Sequence, residues 1–155
     1  ALPYAGSFFD AAVCIDAYHY FGRDTEYLDK HLLPLVKLGG LILLAVPGLK
    51  RDVHADPPPE LLLSWTREDL ETLHDCAYWR RILESAAGAE ILSVDEMQGT
   101  DECWADWLSC DNPYAVGDRK AMRAGAGKYM NFIAMALRRR GAEPAAGGAP
   151  AREDG

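Results

Sequence analysis

Apolar residues along the chain fall into continuous blocks rather than into strict alternation. Phe8-Phe9-Asp10-Ala11-Ala12-Val13-Cys14-Ile15-Asp16 and Leu41-Ile42-Leu43-Leu44-Ala45-Val46 are near-continuous apolar runs. Continuous apolarity marks strands buried on both faces, as in a parallel sheet under helices. Between the two runs, Asp24 is placed to N-cap a helix over residues 25–37 with an apolar stripe of Tyr27, Leu28, Leu32 and Leu35. Pro34 shortens its last turn, and Gly39-Gly40 ends it. Strand, helix, strand predicts a right-handed parallel crossover.

Residues 50–60 read as a polar, extended loop around Pro57-Pro58-Pro59. Thr66-Arg67-Glu68-Asp69 resembles a capping box that opens a short helix to about His74. Asp75 is placed to cap another helix, on the stripe Trp79, Ile82, Leu83 and Ala86, ended by Gly88. A third strand is expected over residues 89–94, a helix around Trp104 and Trp107, a short helix over 118–124, and a last strand over 129–137. The order β-α-β-α-β, a long excursion, then β predicts an α/β layer fold. The first strand then has a bare edge. So apolar a strand belongs inside a sheet, which implies a neighbour on its other side.

The 155 residues carry 16 Lys+Arg against 24 Asp+Glu, a net charge of −8. Acidity excludes a nucleic-acid backbone or an anionic membrane as the main partner. No apolar run approaches the roughly 20 residues of a membrane span. No charged and then apolar leader segment opens the chain. Cys14, Cys76, Cys103 and Cys110 stand singly, with no C-x-x-C, so neither a zinc site nor a redox motif is expected, and a reducing cytoplasm fits. Residues 141–155 hold four Gly, five Ala and two Pro, without aromatic or branched aliphatic residues. Such a segment is expected to be a disordered tail, leaving residues 1–140 to fold.

The run Leu2-Pro3-Tyr4, then Phe8-Phe9-Asp10-Ala11-Ala12-Val13-Cys14-Ile15-Asp16-Ala17-Tyr18-His19-Tyr20-Phe21, resembles the fourth-strand motif of class I S-adenosylmethionine-dependent methyltransferases. Leu35-Val36-Lys37-Leu38-Gly39-Gly40-Leu41-Ile42 is similar to the turn into their fifth strand, with Leu38 where Pro is usual. Val46-Pro47-Gly48-Leu49 is similar to a small-molecule-type bacterial subgroup. The resemblance implies a partial Rossmann-like fold: strands four to seven of a mostly parallel sheet with flanking helices, the last strand antiparallel. It implies S-adenosylmethionine as cofactor and a small-molecule methyl acceptor. Such families hold the cofactor on a Gly-rich loop after strand one, where only glycine permits close backbone approach. This sequence has no G-x-G-x-G. The chain is therefore expected to be the C-terminal half of such a domain.

On that resemblance, Cys14, Ile15, Asp16, Tyr18 and His19 line the cofactor site, and Tyr20, Phe21, Trp104 and Trp107 line the acceptor side. His19, just past the carboxyl end of the first strand, suits a general base; the alternative is a histidine that only positions the turn. Asp16 either places cofactor or substrate, or caps the turn. The aromatic residues either wall a sulfonium pocket or pack a core. Carboxylates near the tryptophans read as a solvated face rather than a metal site. His54 and His74 read as surface residues and His31 as structural. The serines lack a nucleophile-elbow context, so hydrolase chemistry finds little support. A rival reading is a non-catalytic module whose first strand pairs with a second copy or with a partner chain carrying the missing half. A nucleotide-dependent oxidoreductase half is weaker, for want of the same loop.

Overall fold

The computed structural model describes residues 3–141. Of the expected tail over residues 141–155, residues 142–155 lie outside the described ones. Strand β1 (Phe9–Ile15) pairs in parallel with β2 (Val36–Leu49). Strand β4 (Met130–Arg139) lies between β2 and β3 (Ala89–Glu96), antiparallel to both. The sheet order is β1-β2-β4-β3.

Several expected boundaries move. The helix after Asp24 is a π-helical turn, Leu28–Leu32, followed by a 3₁₀ turn, Leu33–Leu35. Pro34 sits in that 3₁₀ turn, and the strand begins at Val36, five residues earlier than the apolar run suggests. The register slips between Phe9 and Ala11, which absorbs the Gly39-Gly40 turn. A Cβ on Gly40 would lie 2.6 Å from the Asp10 carbonyl oxygen, so this turn demands glycine. Helix α1 (Tyr18–Phe21) is a single turn. The capping box of Thr66 and Asp69 is present and opens α2 (Arg67–Leu70), which stops short of the expected His74 in a turn at Glu71, while Asp75 caps α3 (Cys76–Glu84) through the Tyr78 amide at 2.8 Å. After β3 come α4 (Thr100–Ser109) and α5 (Pro113–Arg123). The latter starts five residues before the expected 118, because Asn112 caps it and Pro113 occupies its first position.

The two faces of the sheet fare differently. One is fully covered: Ile42, Leu44, Val46, Ile133, Met135 and Leu137 pack against Tyr18, Leu28, Leu33, Trp79 and Leu83. On the other, a second cluster gathers Leu49, Met130 and Phe132 under Leu61, Leu70, Trp104 and Ala121. That cluster covers only the end where β2 finishes and β4 begins. Register places Val13 beside Leu43 and Leu43 beside Ala136, and Ile15 beside Ala45 and Ala45 beside Ala134. Val13 is 64% exposed and Ile15 71%. The first strand is thus an edge strand with one bare apolar face, where continuous apolarity alone would bury both.

Candidate functional site

Strands β1 and β2 direct their carboxyl ends to one edge of the sheet, the edge at which open α/β sheets bind ligands. The chain leaves β1 through Asp16, whose amide donates to the Ala45 carbonyl at 2.8 Å and whose φ is +54°. A left-handed aspartate is conformationally costly and occurs where the surrounding fold enforces it. Here it turns the chain from strand into α1 and leaves the carboxylate exposed.

Helix α1 presents its four side chains in different ways. Tyr18 is buried, with its ring against Phe21 at 5.5 Å, Trp79 at 5.9 Å and Tyr27 at 6.3 Å. Burial pushes its hydroxyl far above the usual phenol range. His19 is only 2% exposed; its ring lies 3.9 Å from that of Tyr20, and its Nδ1 has no hydrogen-bond partner. Burial lowers its pKa, the charge of Arg23 lowers it further, and Asp16 opposes both. The imidazole is therefore neutral near pH 7, the form that accepts a proton. Tyr20 and Phe21 face solvent. Burial raises the pKa of Tyr20, and the charges of Asp16, Tyr114 and Asp69 add to it.

Cys14 is half-buried on the covered face, and burial raises its thiol pKa. Ile15, one residue on, belongs to the bare face, so Cys14 and Ile15 do not share a wall. Asp16, His19, Tyr20 and Phe21 do share the edge. Trp104 and Trp107 stand across the sheet from Tyr18: Trp104 stacks on Phe132 at 5.5 Å, and Trp107 Nε1 donates to Asp118 at 2.9 Å. Beside them a groove of about 490 Å³ runs between α4 and α5, with Trp104, Leu108 and Met122 along it and Arg119 and Arg123 at its rim.

Sequence patterning missed two parts of this edge. Arg23 donates from Nη1 to the Glu71 carbonyl at 2.6 Å and so ties the exit of α1 to the exit of α2. His54 and His74 are not free surface residues. Their rings lie 4.9 Å apart, and His74 is buried and stacked on Tyr78 at 3.4 Å. Both depend on loops folding back on themselves, which no periodicity encodes. Among the described residues no group of His, Cys, Asp and Glu is arranged to hold a metal, and no helix is long and apolar enough to cross a membrane.

No protein-family model and no curated protein matches the sequence. Solved structures do match. Geranyl diphosphate C-methyltransferase from Streptomyces coelicolor A3(2), crystallised with S-adenosyl-L-homocysteine, superposes with a TM-score of 0.60 at 12% identity, over 90% of this chain and 50% of that one. Phosphoethanolamine N-methyltransferase 2 from Haemonchus contortus, crystallised with S-adenosyl-L-methionine, gives 0.60 at 13% identity, over 89% of this chain and 35% of that one. The fold is that of the class I methyltransferases, in part. Strands β1 to β4 stand as strands four to seven, the last antiparallel. The [4+2]-cyclase SpnF is also similar, with a TM-score of 0.56 at 19% identity, over 90% of this chain and 53% of that one. The chain thus spans about half the length, or less, of the structures it resembles.

Proposed function

We propose that the chain is the acceptor-side half of an S-adenosylmethionine-dependent methyltransferase that works in the cytoplasm on a small molecule. One observation carries the reading: Asp16, His19, Tyr20 and Phe21 lie just past the carboxyl end of β1 in the β1-β2-β4-β3 sheet, beside a bare strand and a bare face. Residues 1–140 act as the C-terminal portion of the domain. A preceding strand and helix layer covers Val13, Ile15 and Leu43 and supplies the Gly-rich loop.

The residues present fit one side of the cofactor. S-adenosylmethionine, when bound, supplies an electrophilic methyl group on a sulfonium. Exposed aromatic rings attract such a cation, by about 0.5–2 kcal/mol where water is excluded. Asp16 offers a carboxylate to an ammonium, with Cys14 and Ile15 in the strand behind it. Tyr18 acts from the core, holding Phe21 in place. His19 in neutral form takes a proton from the acceptor's nucleophile through whichever ring nitrogen the ligand reaches. Trp104 and Trp107 shape the acceptor side from the far layer. The chain's work is positioning and exclusion of water.

Calorimetric titration of S-adenosylhomocysteine tests the reading. The chain alone is expected not to bind, and a longer protein that contains it to bind in the micromolar range. No binding by the longer protein overturns the methyltransferase reading; binding by the chain alone overturns the half-domain part. The fold by itself does not set the reaction, since a [4+2]-cyclase shares it. The bare edge of β1 favours one rival, a non-catalytic module that pairs through that strand as a homodimer.

A further inference from the structure

Residues 51–57 form a strap between two anchors. At one end the Lys50 amide donates to the Tyr129 carbonyl at 2.9 Å; past the other, Lys128 Nζ donates to Glu60 Oε1 at 2.7 Å, and within the strap Val53 rests on the second cluster and Pro57 is buried. Between these anchors, one hydrogen bond among the described residues ties the strap to the rest of the chain. It joins His54 Nε2 to the Leu70 carbonyl at 3.0 Å, at the end of α2. The other face of the same ring meets Asp52, with Nδ1 2.6 Å from Oδ1, while the His54 backbone amide donates to that oxygen at 2.9 Å.

Both ring nitrogens therefore face an oxygen that can only accept. A neutral imidazole keeps one N–H, and the Asp52 carboxylate, the stronger acceptor, holds it on Nδ1, which leaves the Nε2 lone pair facing the Leu70 carbonyl; the imidazolium donates to both. The surroundings agree. Asp52 on the strap and Glu71 beyond α2 bring negative charge to the ring and, with the Leu70 carbonyl, outweigh burial to raise its pKa. His74 is held neutral by its own burial and by the neighbouring His54, so it does not compete for the proton. Arg23 lies on the side of His74, and Tyr78 of α3 stacks on His74 rather than on His54.

We propose that His54 is a pH-sensitive clasp: as imidazolium it fastens the 51–57 strap onto the end of α2, and loss of its proton releases the strap. The released strap uncovers the flank of His74, whose ring lies 4.9 Å from that of His54. The clasp does not depend on methyl transfer, and its test reads the strap directly.

Nuclear magnetic resonance of the full chain across pH decides it. The two His54 ring nitrogens are expected to remain protonated above the ordinary histidine value of about 6.5, and the amides of residues 51–57 to shift with the same midpoint. Asp52→Asn lowers that midpoint. His54→Gln removes the pH dependence and speeds tryptic cleavage after Arg51 several-fold below the wild-type midpoint, where the strap is fastened, and leaves it unchanged above that midpoint. A His54 ring that is neutral below the ordinary value overturns the clasp, and so do strap amides that stay still while the ring titrates.

Discussion

Two histidine rings 4.9 Å apart respond to acid with opposite signs. His74 is pushed down to about 4 by burial first and by His54 next. Its folded value lies below its unfolded one, so the unfolded chain takes the proton first as pH falls from about 6.5. Stability is therefore lost on acidification through that window, by roughly 3 kcal/mol from this residue. His54 behaves the other way: its pKa is raised, so its contribution is present at low pH and is lost as pH rises through the folded value. Urea unfolding at a series of pH values is expected to show the acid-side loss in the wild type and a much smaller one in His74→Gln. The residue scale was only partly legible in sequence. Asp75 and the Thr66–Asp69 box were readable because a cap and its helix are neighbours along the chain. His54 and His74 were not, because their partners Leu70 and Tyr78 are reached only once the loops fold. Gly48 is a third such case: a Cβ there would meet the His74 carbonyl oxygen at 2.6 Å, next to its bond with the Leu49 amide. Gly48→Ala is expected to cost about 1–3 kcal/mol, read as a lower thermal midpoint.

Among the elements, α3 rests on its cap and its buried stripe. Asp75 accepts from the Tyr78 amide, while Trp79 and Leu83 are buried in the larger core. Asp75→Ala is expected to cost about 1 kcal/mol in chemical denaturation. The strands were legible as apolar blocks and the first crossover as strand, helix, strand. The helix inside that crossover was legible only as far as its middle. Its apolar stripe is real, since Leu28 and Leu33 are buried, but Pro34 removes an amide and a 3₁₀ turn replaces the last helical turn. The early start of α5 had a local signal in Asn112-Pro113 that periodicity alone does not weigh. The apolarity of β1 misled in one respect: it predicts two covered faces, and within the described residues only the face carrying Ala12 and Cys14 is packed.

At the scale of the molecule, that bare face separates the half-domain reading from the homodimer. Val13 and Ile15 are 64% and 71% exposed, on a strand whose outer edge is unpaired among the described residues. The sequence made the missing edge visible through strand order, but the bare face became visible only when register placed Val13, Leu43 and Ala136 in one row. Val13→Lys puts a charge at the centre of this row. In the chain alone the site is solvated, so the change is expected to be nearly neutral, within about 0.5 kcal/mol. In a longer protein whose added layer packs over the row, the same charge would be buried without a partner and would destabilise strongly. A homodimer pairing through the edge of β1 keeps the side chain of Val13 off the hydrogen-bonding interface, because strand side chains stand perpendicular to the sheet. Denaturant midpoints of the two proteins, with and without Val13→Lys, therefore separate the readings. A large loss in the longer protein with none in the chain supports the half-domain. Equal, small effects in both would mean that the face stays open and that the chain's role lies in pairing through its edge.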